Sequence, residues 1–245
     1  MKYKSWALAL GLVMITVTLV TVWDGYRRLG ERVLGEYSQQ VPAASSEATL
    51  TSDMPVSVDD YHDYLSTLQA LDAGVYQLHL TQMGESTIIS DYQVIVTPEW
   101  TIITPQTMIV ENNGVRDEIS LSSPEEVSYT HYQLQANGDV WARIYTRHGD
   151  QWQESAQQTL TSAQKDLTYG HLWSVAYLPI ADEPGRLTAA ALDGGTYHFY
   201  FAAESFIKAE FDSDDGHTRL EYHHTSESPE INLPDELLAF VHAQE

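Results

Sequence analysis

The residues with the most capacity for chemistry crowd the C-terminal third of the chain. His198, His217, His223 and His224 all fall between Thr196 and Thr225. Imidazole titrates near neutrality and ligates transition metals. His198, His217 and His223 could share the wet face of a sheet and present nitrogen ligands to a divalent ion. No His-Glu-x-x-His pair accompanies them, and they read as surface histidines. The run Asp212-Ser213-Asp214-Asp215-Gly216 has calcium-like composition. A calcium loop needs carboxylates at its first, third and fifth positions, Gly at the sixth and Glu at the twelfth. With Asp212 first, Gly216 falls fifth and His223 twelfth, so the run reads as a polar hairpin turn. Gly-x-Ser-x-Gly, phosphate-loop and dinucleotide fingerprints are all missing. The chain has no cysteine, which excludes thiol catalysis, thiolate metal sites and a disulfide framework. The expectation is a protein that is not an enzyme, with no catalytic residue, no metal site and no cofactor.

Aromatic residues are the feature most compatible with ligand binding. Tyr76, Tyr92, Tyr132, Trp173, Tyr177, Tyr197, Phe199, Phe201, Phe211 and Tyr222 fall at positions that can point to one side of a sheet. Ligand pockets are mostly apolar, with a few polar groups. Two readings stand: these side chains line a pocket for a lipid or other hydrophobic molecule, or they fill the core of a domain acting through its surface.

The elements that position them are mostly strands. Thr196–Glu204, Phe206–Phe211 and His217–His224 alternate with period two, joined by short polar turns. Tyr197, Phe199, Phe201, Ile207, Ala209, Phe211, Leu220 and Tyr222 form the apolar set; His198, Lys208, Glu210, Arg219 and Glu221 form the polar one. That pattern is an antiparallel meander with one buried and one wet face. Upstream, Val58–Leu71 predicts a helix capped by Ser57, with Tyr61, Tyr64, Leu65 and Leu68 on one stripe. Strands follow at Val75–Met83, Ile88–Thr97, Trp100–Thr104, Gln106–Glu111, Arg116–Leu121, Tyr129–Gln135 and Asp139–Arg147. Asn112-Asn113-Gly114 and Asn137-Gly138 signal hairpins, and Pro105 signals a bend. Gln151–Pro184 breaks the rhythm: Ala156–Leu167 and Thr168–Ile180 read as helices. Arg186–Leu192 returns to strand and Pro234–Ala243 reads as a short terminal helix. The expected class is α+β, with helices on one face of a large antiparallel sheet.

Charge and hydropathy divide the chain. Residues 1–55 hold five basic and five acidic residues, so the net charge of −23 lies entirely in 56–245. So acidic a domain repels phosphate backbones, which excludes nucleic acid as a partner. Trp6–Trp23 is an uncharged run of eighteen residues flanked by Tyr3 and Tyr26. At 1.5 Å per residue such a helix spans about 27 Å, close to the hydrocarbon core. It reads as a transmembrane anchor behind a tail of residues 1–5; a cleaved signal peptide would need a small-x-small site sooner than Pro42–Ser45. Residues 24–55 read as a stalk and flexible linker, and 56–245 as the folded domain. Lys2 and Lys4 before the span nearly balance Arg27, Arg28 and Arg32 after it.

Several pieces in order resemble one family. Asn137-Gly-Asp-Val-Trp-Ala-Arg-Ile-Tyr with Gly149-Asp-Gln-Trp152 is similar to a "dG-x-x-Y-x-R … G-x-W" hairpin. Ser205–Phe211, Asp215-Gly216, Leu220-Glu-Tyr222 and Ile231-Asn-Leu-Pro234 resemble the closing meander of the LolA/LppX-like superfamily of bacterial envelope proteins. The resemblance covers roughly Val58 to Leu238. It implies a half β-barrel, a curved antiparallel sheet with helices on its concave face, often enclosing a cavity for acyl chains. It also implies an extracytoplasmic domain on a cell membrane, binding a lipid or lipoprotein acyl chain, with envelope proteins as possible partners. The anchor departs from the soluble carriers of this family, and the missing lipid-modified cysteine departs from its lipoproteins.

Overall fold

The computed structural model describes residues 57–71, 73–112, 114–121, 126–192, 194–203, 205–225 and 230–244. The anchor expected at 6–23 and the stalk and linker of 24–55 lie outside the described residues. Among those described, no helix is long and apolar enough to cross a membrane.

Helix α1 (Val58–Gln69) begins where predicted, with the Ser57 hydroxyl accepting the Asp60 N–H at 3.1 Å. Fourteen strands follow in chain order: β1 (Gly74–Met83), β2 (Thr87–Val96), β3 (Trp100–Asn112), β4 (Val115–Ser120), β5 (Ser128–Leu134), β6 (Val140–His148), β7 (Gln151–Leu160), β8 (Thr168–Tyr169), β9 (Trp173–Ser174), β10 (Ile180–Glu183), β11 (Arg186–Ala190), β12 (Thr196–Ala202), β13 (Ser205–Asp212) and β14 (Thr218–Thr225). Helix α2 (Ser162–Lys165) separates β7 from β8, and α3 (Asp235–His242) comes last. Twelve strands make one antiparallel sheet in the order β10-β11-β12-β13-β14-β1-β2-β3-β5-β6-β7, with β4 branching off β3. The sheet is open and uncurled, not the curved half-barrel expected. The hairpin turn at Gly138 forms with φ at 89°, a value glycine reaches without penalty.

Three expectations are corrected. Ala156–Leu167 is not a helix: through Leu160 it continues β7, paired with β6 from Val140↔Leu160 to His148↔Gln151. A Gln/Ser/Thr-rich edge strand has no buried face, so alternation leaves no trace in its sequence. Only the four residues of α2 are helical, capped reciprocally by Thr161 and Gln164. Nor is Thr168–Ile180 a helix. Gly170 and His171 sit in the left-handed region at φ 55° and 57°, which a right-handed helix cannot contain. They turn the β8–β9 hairpin. Finally, Pro105 does not split β3; a one-residue register shift beside Tyr92 absorbs it within a continuous strand.

The helices also cover opposite faces, not one. Residues directly opposite across a ladder share a face. Tyr76, Val94 and Ile103 are aligned on one side; Val75, Ile95, Ile102, Tyr129 and Tyr145 on the other. On the first, Leu68 of α1 packs into a cluster with Tyr76, Val94, Trp173, Leu187 and Phe199. On the second, Leu237 and Val241 of α3 pack on Trp100, Ile102, Tyr129 and Tyr145. Strands β2 and β3 carry adjacent apolar residues (Val94-Ile95-Val96, Ile102-Ile103), so both their faces need cover.

Candidate functional site

Trp173 is the hub of the larger cluster and is fully buried. Its ring meets Tyr76 at 5.5 Å, Phe199 at 5.8 Å and Tyr222 at 5.7 Å, all edge to face, and Phe206 at 5.4 Å. Such geometry is favoured by the ring quadrupole. Tyr197 stacks on Phe199 at 5.8 Å and tilts against Phe211 at 5.0 Å, while Tyr64 of α1 stacks on Phe201 at 4.6 Å. Eight of the ten aromatics picked from the sequence therefore gather in one cluster: Tyr76, Tyr92, Trp173, Tyr197, Phe199, Phe201, Phe211 and Tyr222. Tyr132 lies apart, half-buried, its ring 3.9 Å from that of His171 and its hydroxyl donating to Thr101 Oγ1 at 3.3 Å. Tyr177 is 59 % exposed and stands outside the cluster.

This cluster carries polar atoms that alternation did not reveal. The Tyr76 hydroxyl, Tyr169 hydroxyl and Trp173 Nε1 are buried and meet no hydrogen-bond partner among the described residues. A buried donor left unmatched costs about 1–3 kcal/mol. Burial raises the Tyr76 hydroxyl above the ordinary tyrosine range. It pushes the Tyr169 hydroxyl up to about 12, helped by neighbouring Tyr61.

Beside the cluster lies a cleft of about 380 Å³. Gln69 and Leu71 at the end of α1, Val140 and Leu160 on the β6–β7 ladder, and Lys165, Asp166 and Thr168 to His171 form its walls. Leu71, Val140 and Leu160 make it apolar on two sides, and Tyr169 joins it to the aromatic cluster. Gly170 permits the close approach: a Cβ there would lie 2.8 Å from the Leu71 carbonyl oxygen and 3.2 Å from Trp173 Cζ3. No signal short of the fold joins these residues, because they come from three segments distant in sequence.

Away from the α3 cluster, the opposite face of the same strands is polar. One row runs in register across seven strands: Thr188, His198, Glu210, Glu221, His79, Asp91 and Thr107. His79 Nδ1 is 2.7 Å from Asp91 Oδ1, and Thr107 donates to Asp91 Oδ2 at 2.7 Å. Burial works to raise the Asp91 carboxyl, but these two hydrogen bonds and the His79 charge outweigh it and hold it below the usual range. Glu210 behaves alike: burial opposes ionisation, while Lys208, Tyr200 and Arg219 together lower its carboxyl. A groove of about 380 Å³ opens here over Gln77, His79, Asp91, Thr107, Glu221 and His223. Of the histidines flagged in the sequence, His198 and His223 lie on this face, whereas His224 turns to the aromatic side, 5.3 Å from Tyr76. Asp215 closes the Asp212–Gly216 turn by accepting from the Ser213 hydroxyl and the His217 N–H. Among the described residues, no group of three or more His, Asp or Glu side chains could hold a metal ion.

No family model and no curated protein matches the sequence. Among solved structures, the chain is similar to a LolA superfamily protein from Nitrosomonas europaea at 9 % identity, over 73 % of this chain and 95 % of that one, with a TM-score of 0.27. A superposition that loose assigns neither ligand nor site residue.

Proposed function

We propose that the sheet domain is a non-enzymatic, extracytoplasmic domain of a bacterial envelope, tethered to the cell membrane by the Trp6–Trp23 segment, that binds an apolar ligand such as a lipid acyl chain. The observation that carries this reading is the cleft of about 380 Å³ beside the aromatic cluster, with Leu71, Val140 and Leu160 on its walls. Its volume falls within the range of small-molecule sites, and its lining is a mixture of apolar groups with a few polar ones. Tyr169 belongs both to the wall and to the aromatic cluster, so the cleft borders the buried rings directly. The aromatic cluster is then the floor of the site.

A second reading keeps the domain ligand-free, as a protein-interaction or sensory domain of the envelope. The ring-to-ring packing around Trp173 favours it, because that core is filled by its own side chains.

Photo-crosslinking separates the two. Cells expressing the full chain are fed a diazirine-bearing fatty acid and irradiated, and labelled peptides are mapped by mass spectrometry. Lipid binding in the cleft puts label between Leu160 and His171 and removes it in Leu160→Arg. Absence of label there, or equal labelling of the variant, rejects the cleft as a lipid site and leaves the interaction reading.

A further inference from the structure

The open sheet has three outer strands among the described residues, and they are built differently. Strand β10 has only four residues, with Asp182 and Glu183 among them. Strand β4 has six, with Arg116, Asp117 and Glu118 at its middle. Short length and charge are what natural edges use to refuse another strand. Strand β7 has ten residues and a single charge, Glu154. It contains neither Lys nor Pro. Among the described residues, no backbone hydrogen bond reaches it except from β6. A one-residue bulge at Ser155, whose hydroxyl donates to the Ile144 carbonyl at 3.1 Å, sets off a final regular run. That run, Ala156-Gln157-Gln158-Thr159-Leu160, is wholly uncharged.

Charge singles out the same edge. The chain carries −23, yet residues 140–165 hold three basic side chains (Arg143, Arg147, Lys165) against two acidic ones (Asp150, Glu154). Two copies of so acidic a domain repel each other on average, and exposed charges are felt over about 8 Å at physiological salt. The β6–β7 end is where the long open edge and local neutrality coincide.

We propose that β7 is a self-association edge: two copies of this chain pair Ala156–Leu160 antiparallel about a two-fold axis at Gln158, joining their sheets into one. The axis sets Gln157 of each copy opposite Thr159 of the other, and Ala156 opposite Leu160. No like charges face each other in this register. An isologous contact of this kind closes on itself and uses up both β7 edges, leaving only the short, charged β10 and β4 edges exposed.

The absence of native cysteine makes the test direct. Gln158→Cys, Asp117→Cys on β4 and Glu183→Cys on β10 are each introduced into the full chain and oxidised in native membranes. Directly opposed residues of an antiparallel pair lie within disulfide reach. Gln158→Cys is expected to give covalent dimer at several times the yield of either control. Two further Gln158→Cys variants test the register through exposed side chains. Gln157→Lys with Thr159→Lys opposes like charges twice across the axis. Gln157→Lys with Thr159→Glu opposes unlike charges twice. The second pair is expected to crosslink on the order of fivefold more than the first. Equal yields from the two charge pairs, or a Gln158→Cys yield no higher than the controls, overturns the proposal. A monomeric mass for the solubilised full chain by light scattering, together with no crosslink, does the same and leaves β7 to a partner of another kind.

Discussion

The two faces of the sheet are covered in unequal ways. Over β10–β2, α1 and the β8–β9 hairpin close a cluster built from aromatic rings in mutual contact. Over β3–β6, α3 closes a much smaller cluster on the reverse side with two buried aliphatic residues, Leu237 and Val241. The first draws on segments from Leu68 to Tyr222 and ties the chain together across its length. The second is sealed by an eight-residue helix near the chain's end. The first cluster should therefore set global stability and the second should open locally, since sub-global units of a protein unfold at different free energies.

The sharpest way to break this comparison is to empty each cluster in turn. Trp173→Ala removes the hub of the first and is expected to lower stability by about 3–5 kcal/mol, measured as the urea midpoint of the whole domain. Leu237→Ala is expected to cost less, roughly 2 kcal/mol, because α3 can settle onto the gap. Its effect should appear first as faster amide exchange in α3. A Leu237→Ala cost equal to that of Trp173→Ala would make the clusters one cooperative unit. Gly170→Ala asks how tightly the first cluster is closed: the added methyl meets the Leu71 carbonyl oxygen at 2.8 Å with φ at 55°. It should cost on the order of 1–2 kcal/mol and reduce any lipid labelling of the cleft.

Two smaller predictions concern pH and distinguish the faces of the same strands. On the polar side, the carboxyls of Asp91, Asp182 and Glu210 are all held low in the folded state, Asp182 chiefly by hydrogen bonds from Arg186. A depressed carboxyl stabilises the fold above its unfolded value, near 4, and that contribution is lost as pH falls through the folded one. Asp91→Asn should flatten the acid limb of a thermal-shift profile below about pH 4. On the aromatic side, burial lowers the His224 imidazole below its ordinary value. The unfolded chain then binds the proton first, so stability falls as pH drops from about 7 toward 5. The residues packed on it are Tyr76 and Phe206, neither of them charged. His224→Gln should remove this slope and leave the acid limb intact; an unchanged slope would overturn the assignment to His224.

Much of the sheet was legible in the sequence because one-sided burial writes itself as alternation. The closing meander, β1, β2 and the Asn137-Gly138 hairpin stand where period two and turn chemistry put them, except that a register shift after Tyr200 exposes Ile207 and buries Phe206. Strand β7 was not legible, because an edge with both faces largely wet needs no apolar period. The β8–β9 segment misled for the opposite reason: Tyr169, Leu172, Trp173 and Val175 are apolar because they cap a core, whatever their backbone does. Eight aromatics could be placed on one side from their spacing, but spacing cannot say what stands across from them. Tyr177 was grouped with them by type, and it is exposed. The cleft was invisible, since Leu71, Leu160 and Tyr169 meet only after the chain has folded.

One pairing sets an order of events on the chain. Strand β1 sits at the middle of the sheet, with β2 on one side and β14 on the other; Val75 pairs with Thr225 and Gln82 with Thr218. As the polypeptide emerges, β1 finds β2 at once across a short turn. Its other edge stays open until nearly the whole domain has been made. Closing so distant a contact is entropically slow. In the interval the Tyr76, Leu78 and Leu80 side of β1 lacks the flanking rings that β12–β14 bring to the same face. Growth of the domain is thus outward from one hairpin on the β3 side and inward to it from the other, and the last strand made is the one that joins the two halves. A chain cut before Thr218 keeps most of its residues and lacks the seam.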